Sequence, residues 1–166
     1  MENSNPIRAN VVLALNWYPH RMCGRYALSK LPAELIEEFE IHTGKTFPLL
    51  PADWNITPTR PIYLVRNNAE NQRELTTATW GLIAPWSKDE ASALKSQSIA
   101  INARTESVDE KPTFRSAFRS RRCLIPADGY YEWATELTSP SKQPYYISRD
   151  DNKVLAFAGI WDRWVA

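Results

Sequence analysis

The sequence predicts an α+β domain, a mainly antiparallel sheet or open barrel carrying two or three helices. Three observations predict it. Short runs rich in β-branched and aromatic residues recur from residue 61 to the end of the chain, prolines and turn-forming residues separate them, and helical spacing is confined to short stretches such as 31–41 and 115–122. At 166 residues, with 43% hydrophobic content, the chain has the length of one domain and enough apolar material for a core.

Residues 1–21 show neither a sustained helical nor an alternating period before the abrupt change at Met22, and they read as an added or mis-started leader. Their apolar run, Val11 to Leu15, is too short to span a membrane and no small-residue cleavage site follows it. The domain proper is then 22–166. Gly24 to Leu28 can form a short strand. Leu31 to Ile41 reads as an amphipathic helix with Pro32 in its first turn, Leu35, Ile36 and Phe39 inward and Glu34, Glu37, Glu38 and Glu40 toward solvent. Asp53 to Pro58 reads as an extended loop, because its prolines forbid regular helix.

Pro61 to Arg66 and Glu74 to Gly81 flank the polar segment Asn67 to Asn71 and form a plausible hairpin. Ser98 to Ile101, Cys123 to Pro126, Tyr130 to Trp133, Tyr145 to Ser148 and Val154 to Ile160 all read as strands. Turns such as Ser139-Pro140-Ser141 and Asp150-Asp151-Asn152 separate them. The chain stops at Ala166, directly after the strand-like Gly159-Ile160-Trp161, as a C-terminally truncated domain would.

Composition sets limits on function. Twenty Lys and Arg against 19 Asp and Glu leave a net charge of +1, so any nucleic-acid-binding face must be local and no membrane partner is indicated. Seven Trp and seven Tyr serve equally as core filler, interface anchors or base-stacking platforms. Two cysteines without a Cys-x-x-Cys or His-rich cluster suggest neither a disulfide framework nor a metal site, and fit a reducing cytoplasm.

Several constellations could carry chemistry. Between Lys111 and Arg122 there are five basic residues and no acidic one, with Arg115, Arg119 and Arg122 at helical spacing beside Phe114 and Phe118. That pattern fits a solvated helix face or an arginine surface for phosphates. Asn102, Arg104 and Glu106 alternate, so in an extended segment they share one face, either a site or the polar side of a strand. Glu132, set among Tyr130, Tyr131 and Trp133, suits acid–base work if it points inward and is unremarkable if it points outward. Cys123, in an apolar run, reads as core. Cys23 follows Met22. Were it N-terminal, its α-amine, titrating at about 7.7–8.0, would share a residue with its thiol. Amine and aldehyde then give a Schiff base, and addition of the thiol closes a durable thiazolidine. A ring-opened abasic sugar offers such an aldehyde.

Taken together, Met22-Cys23-Gly24-Arg25-Tyr26, Trp80-Gly81-Leu82-Ile83-Ala84-Pro85-Trp86, Ile101-Asn102-Ala103-Arg104-Thr105-Glu106 and Arg122-Cys123-Leu124-Ile125-Pro126-Ala127-Asp128-Gly129-Tyr130-Tyr131-Glu132-Trp133 resemble the SOS response-associated peptidase (SRAP) family. The Phe157 to Trp161 run resembles that family as well. The resemblance covers Met22 to Ala166 and implies an open barrel-like SRAP fold. It implies a protein that crosslinks covalently to abasic sites in single-stranded DNA during the DNA-damage response, acting as a cytoplasmic monomer that joins the nucleoid on damage. Neither cofactor nor metal is implied.

By the same resemblance Cys23 is the residue joined to the lesion, with Asn102 and Glu132 as catalytic neighbours. Arg25 and Arg104 grip phosphates, Arg115, Arg119 and Arg122 widen that cradle, and Trp86 stacks on bases, as Trp80 does unless it belongs to the core. Asn55 and Pro58 shape the pocket wall. A peptidase-like activity that exposes the cysteine is implied too, with Glu132 taking part.

The sequence departs from the pattern in two places. Twenty-one residues precede Met22, and the family's later His-x-Arg-Met-Pro motif has no counterpart, since His20 and His42 lie elsewhere. Two other readings therefore stand beside the first: a non-covalent single-stranded-DNA-binding remnant that lacks chemistry, and a cysteine peptidase acting on other proteins, disfavoured because no nearby histidine is positioned to activate Cys23.

Overall fold

A computed structural model of the chain describes residues 8–15, 23–42, 49–135 and 142–165. Its elements are β1 (Arg8–Leu15), β2 (Tyr26–Leu28), α1 (Pro32–Glu38), β3 (Asp53–Ile56), β4 (Pro61–Asn67), β5 (Arg73–Trp80), α2 (Glu90–Ile99), β6 (Asn102–Arg104), α3 (Arg115–Ser120), β7 (Arg122–Ala127), β8 (Gly129–Thr135), β9 (Lys142–Ser148) and β10 (Leu155–Trp164).

The strands form two sheets. The larger runs β10-β7-β4-β5-β1-β6, and because β1 also pairs with β10 it curls round on itself into a barrel-like wall. The smaller runs β3-β2-β8-β9. Pairing is antiparallel throughout, except where β1 runs parallel to β5 and β6. This is the α+β, mainly antiparallel, barrel-like architecture that the residue patterns imply.

The main core lies between the sheets. Tyr26, Trp80 and Phe157 meet there at ring-centroid distances of 5.5 and 6.0 Å, surrounded by Leu35, Ile62, Leu64, Ile125 and other buried aliphatic side chains. Helix α1 and its C-cap residue Phe39 present Leu35, Ile36 and Phe39 to this core, and the three glutamates of the helix, Glu34, Glu37 and Glu38, to solvent, with Glu40 exposed just beyond. The Glu34 carboxylate reaches back to accept the Leu31 N–H at 2.7 Å, and the helix ends before Glu40, which adopts a left-handed conformation. The expected hairpin is β4 with β5, in register from Pro61↔Thr79 to Asn67↔Arg73. Cys123 is buried, as its apolar neighbours predict, and Trp80 belongs wholly to the core.

Four expectations are corrected. Ser98 to Ile101 is not a strand: Ser98 and Ile99 close α2, which Asp89 caps by accepting the Ser92 N–H at 2.7 Å. Asp53 to Ile56 pairs with β2 as an edge strand, and the proline that suggested a loop falls two residues beyond it. Strand β9 begins at Lys142, three residues earlier than expected. Residues 8–15, aperiodic as a sequence, form a strand, held by backbone pairing with β10 on one edge and with β5 and β6 on the other. The Ser139–Ser141 turn lies outside the described residues, as do residues 1–7 and 16–22.

Gly81 is the residue on which the join between β5 and α2 turns. Its φ is +115°, and a Cβ there would collide with the Gln97 carbonyl oxygen. Its N–H donates to the Val11 carbonyl at 2.7 Å, and the next residue donates to the Ala100 carbonyl at 2.9 Å. Gly81→Ala is expected to cost at least about 2 kcal/mol through backbone strain and overpacking. Thermal unfolding should then show a melting temperature lower by roughly 4–8 °C. A midpoint within one degree of the parent would show that this approach carries no such constraint.

Candidate functional site

Cys23 enters β2 from the side of the main core, and only 1% of its surface is exposed. Its thiol donates weakly to the Arg25 carbonyl, Sγ to O 3.4 Å. Its own carbonyl accepts from Asn102 Nδ2 at 2.8 Å, a contact between residues 79 positions apart. Asn102 is placed for this by β6, whose preceding residue, Ile101, accepts the Trp80 indole N–H at 2.8 Å. The other end of the amide, Asn102 Oδ1, is buried without a partner among the described residues, and so is the Tyr26 hydroxyl. An unsatisfied amide oxygen on the residue that holds the Cys23 backbone, and an unsatisfied hydroxyl on Tyr26, which interacts with the Cys23 side chain, are costly in a finished core and suit a site that receives a ligand or reacting group.

Glu132 completes the group from β8. Alternation along that strand puts Tyr130 and Glu132 on one face and Tyr131 and Trp133 on the other. Tyr130 packs edge-on against Phe157 in the core, and the Glu132 charge acts on both Cys23 and Tyr130. Burial, chiefly, pushes the Cys23 thiol up to about 12, against the weak bond to Arg25, and the Glu132 charge adds to the rise. Burial likewise raises the Tyr130 phenol. The Cys23 thiol is thus held protonated at neutral pH, close to a carboxylate able to take its proton. The structure brings Cys23, Asn102 and Glu132 together.

The other face of β8 borders an open cleft of about 420 Å³ lined by Arg25, Trp54, Asn55, Tyr131 and Trp133. Arg25 donates to Asn55 Oδ1 at 2.8 Å, and the Tyr131 hydroxyl donates to the Trp54 carbonyl at 3.0 Å, so β2, β3 and β8 hold this cleft in one piece. Pro58 stands half-buried just past β3. Arg104 is exposed at the end of β6, on the same face as Asn102 by strand alternation, whereas Glu106 falls in the following turn and leaves that face. Trp86, 58% exposed, lines a different groove with Lys88 and Lys95 along α2.

Helix α3 carries Arg115 and Arg119 over buried Phe114 and half-buried Phe118, as their spacing predicts. Arg122 opens β7 instead, its guanidinium 4.9 Å from the Phe118 ring. Arg119 and Arg122 line a third cleft, which has no lining residue in common with the one at Arg25. Trp54, Tyr131 and Trp133 were not singled out by sequence, although an exposed Trp between Asp53 and Asn55 is itself a signal. Among the described residues no group of three His, Cys, Asp or Glu is placed to hold a metal ion.

Residues 22–166 match the SOS response associated peptidase (SRAP) family. Among curated proteins, the chain is 39% identical over 145 residues to the abasic site processing protein YoaM of Bacillus subtilis, covering 86% of this chain and 60% of that one. It is 30% identical over 136 residues to the abasic site processing protein HMCES of Mus musculus, covering 64% and 38%. Of solved structures, a protein of Bacteroides thetaiotaomicron superposes with a TM-score of 0.71 at 25% identity, over 83% of this chain and 59% of that one. A protein of Bordetella bronchiseptica gives 0.67 at 30% identity, over 86% and 64%. The chain thus spans about 60% of the length of its Bacillus relative.

Burial holds both cysteine thiols at about 12, well above the ordinary thiol range, so each remains S–H until strongly alkaline pH. Iodoacetamide should therefore leave Cys23 and Cys123 of the folded protein unmodified at pH 7 and label both in denaturant. The labelling rate of the folded protein should still be rising at pH 10. Rapid labelling at neutral pH, read by mass, would contradict this account of the site.

Proposed function

The chain belongs to the SOS response-associated peptidase family, and from that premise we propose that it captures abasic sites in single-stranded DNA by covalent reaction at Cys23. The observation that carries the reading is the hydrogen bond from Asn102 Nδ2 to the Cys23 carbonyl, with the oxygen of that amide buried and without a partner among the described residues. Such an amide can hold the cysteine backbone in place and still accept a proton donor from an incoming amine or sugar hydroxyl.

The chemistry requires a free amine on Cys23. Hydrolysis of the Met22–Cys23 peptide bond supplies it, consuming one water and leaving a carboxylate on the leader. The amine then attacks the aldehyde of the ring-opened sugar, and loss of water gives an imine. The thiol adds to the imine carbon, forming the C–S bond while its proton passes to nitrogen, and the ring closes as a thiazolidine. A thiol held protonated at neutral pH needs a proton relay for this last step, and Glu132 is the carboxylate that faces it. Arg25 and Arg104 supply positive charge for the flanking phosphates, and the exposed indoles of Trp54 and Trp86 offer stacking surfaces for bases.

The internal position of Cys23 favours a second reading, non-covalent binding of single-stranded DNA, and the same experiment separates the two. The full chain is incubated with an oligonucleotide carrying one abasic site, and the denaturant-stable products are weighed. On the covalent reading the adduct appears only on chains that begin at Cys23. Cys23→Ala abolishes it, Cys23→Ser yields an imine that survives only after borohydride reduction, and Glu132→Gln slows its formation by about 10²–10⁴-fold. An adduct that persists in Cys23→Ala sinks the covalent reading, whereas salt-sensitive binding with no adduct from any form establishes the non-covalent one.

A further inference from the structure

The recess at the outer end of the β4–β5 hairpin is not accounted for by the Cys23 chemistry. It is an open cleft of about 630 Å³, lined by four arginines and no acidic residue. Arg66 and Arg73 reach it from the hairpin, Arg119 from α3 and Arg122 from the start of β7. Its size lies within the range of roughly 300–1,000 Å³ typical of ligand sites.

The four arginines are not equivalent. Arg66 is neutralised by buried Glu74, Nε and an η-nitrogen both 2.8 Å from one carboxylate oxygen, and its guanidinium lies 4.0 Å from the Trp161 ring. Arg73 pairs with Glu40 at 3.0 Å. Arg122 has its Nε bonded to the Phe118 carbonyl at 2.8 Å and stacks on the Phe118 ring, contacts that fix its direction and leave its charge uncompensated. Arg119 has no ion-pair partner among the described residues. Two cations are thus left in excess in a concave setting with no carboxylate in its lining, the arrangement that suits two successive, singly charged phosphates of a phosphodiester backbone. Opposite them the hairpin turn is stiffened by its own amides, Asn67 to Asn71 at 2.8 Å and Asn68 Oδ1 to two backbone N–H groups, giving a preformed polar rim.

The cleft lies at the opposite end of β7 from the turn into β8. Strand β7 starts at Arg122 and ends at Ala127, where the chain turns into β8 and so to Glu132. Five steps of about 3.3 Å separate its ends by roughly 17 Å.

We propose that the cleft of Arg119 and Arg122 is a second, sequence-independent contact for the phosphate backbone of single-stranded DNA, engaging it outside the cleft at Arg25. The proposal rests on the chain being a DNA-binding protein and not on covalent capture. It assigns the cleft to binding alone, since the thiol on its floor, Cys123, is buried.

The test uses undamaged DNA, so the Cys23 chemistry does not enter it. Fluorescence anisotropy of the full chain with labelled four-nucleotide and fifteen-nucleotide strands is measured across a salt series. The parent should bind the longer strand at least about tenfold more tightly, and Arg119→Ala with Arg122→Ala should lose that advantage. The salt slope on the longer strand should fall by about 1.4, two phosphates at about 0.7 each. Because Arg122 also packs on Phe118, Arg119→Glu alone, at an exposed and unpaired position, serves as the second variant and should show the same sign. An unchanged length advantage and salt slope in both variants would overturn the proposal, as would an equal loss on both strand lengths with an unaltered melting temperature. A length-dependent loss in a protein that forms no adduct with abasic DNA upholds the cleft while sinking covalent capture. Adduct formation with no length dependence does the reverse.

Discussion

The indole N–H of Trp80 bonds the Ile101 carbonyl inside the main core, and the geometry around Cys23 depends on that bond. Trp80 is fully buried, packed against Tyr26 and through it against Phe157, so the ring has one place to sit. Its polar edge must find a partner there, and the partner it finds lies one residue before Asn102. The β6 strand is only three residues long and would otherwise be a weak support for an amide that has to meet Cys23 to within a hydrogen bond. Core packing and site geometry are here one problem: the largest buried side chain of the core holds the segment that carries Asn102.

The smaller sheet solves the matching problem from the other side. Ser29 donates both its backbone N–H and its hydroxyl to Asp128 Oδ2, at 2.6 and 2.7 Å, which ties the end of β2 to the turn between β7 and β8. Cys23 and Glu132 therefore move together, although 109 positions separate them in sequence. The same burial that orders the thiol also keeps it protonated, so the site gains position at the expense of intrinsic nucleophilicity. A proton acceptor in the neighbourhood is what such a trade requires, and β8 alternation supplies one by turning Glu132 to the same face as Tyr130.

How much of this could be read from the sequence depends on the range of the interactions involved. The β4–β5 hairpin, α1 and the arginine face of α3 are set by local spacing, and all three were legible. The burial of Cys123 followed from its neighbours. Ser98 to Ile101 was misread because two isoleucines outweighed the Asp89 cap nine residues earlier, a signal that acts at the far end of the helix. Strand β1 carries no local pattern to read, since pairing on both edges decides it. The motifs around Cys23, Asn102 and Glu132 could be recognised, whereas the orphaned Asn102 oxygen and the Tyr26 hydroxyl exist only once three distant segments meet.

Charge shows the same divide between composition and arrangement. A net charge of +1 describes a chain with almost no overall field, and composition alone would not suggest a polyanion as partner. The fold redistributes that charge by spending its carboxylates unevenly. Glu74 and Glu40 neutralise Arg66 and Arg73, and Asp162 takes Arg121 at 3.1 Å, while Arg119 and Arg122 next to them have no ion-pair partner among the described residues. Such pairs fix direction more than they add stability, the half-exposed Arg73 pair least of all. What they leave is a short arc of arginine with no ion-pair partner among the described residues. Screening at physiological salt reaches about 8 Å, so an arc of that kind acts on what enters its cleft and hardly at all on what passes at a distance.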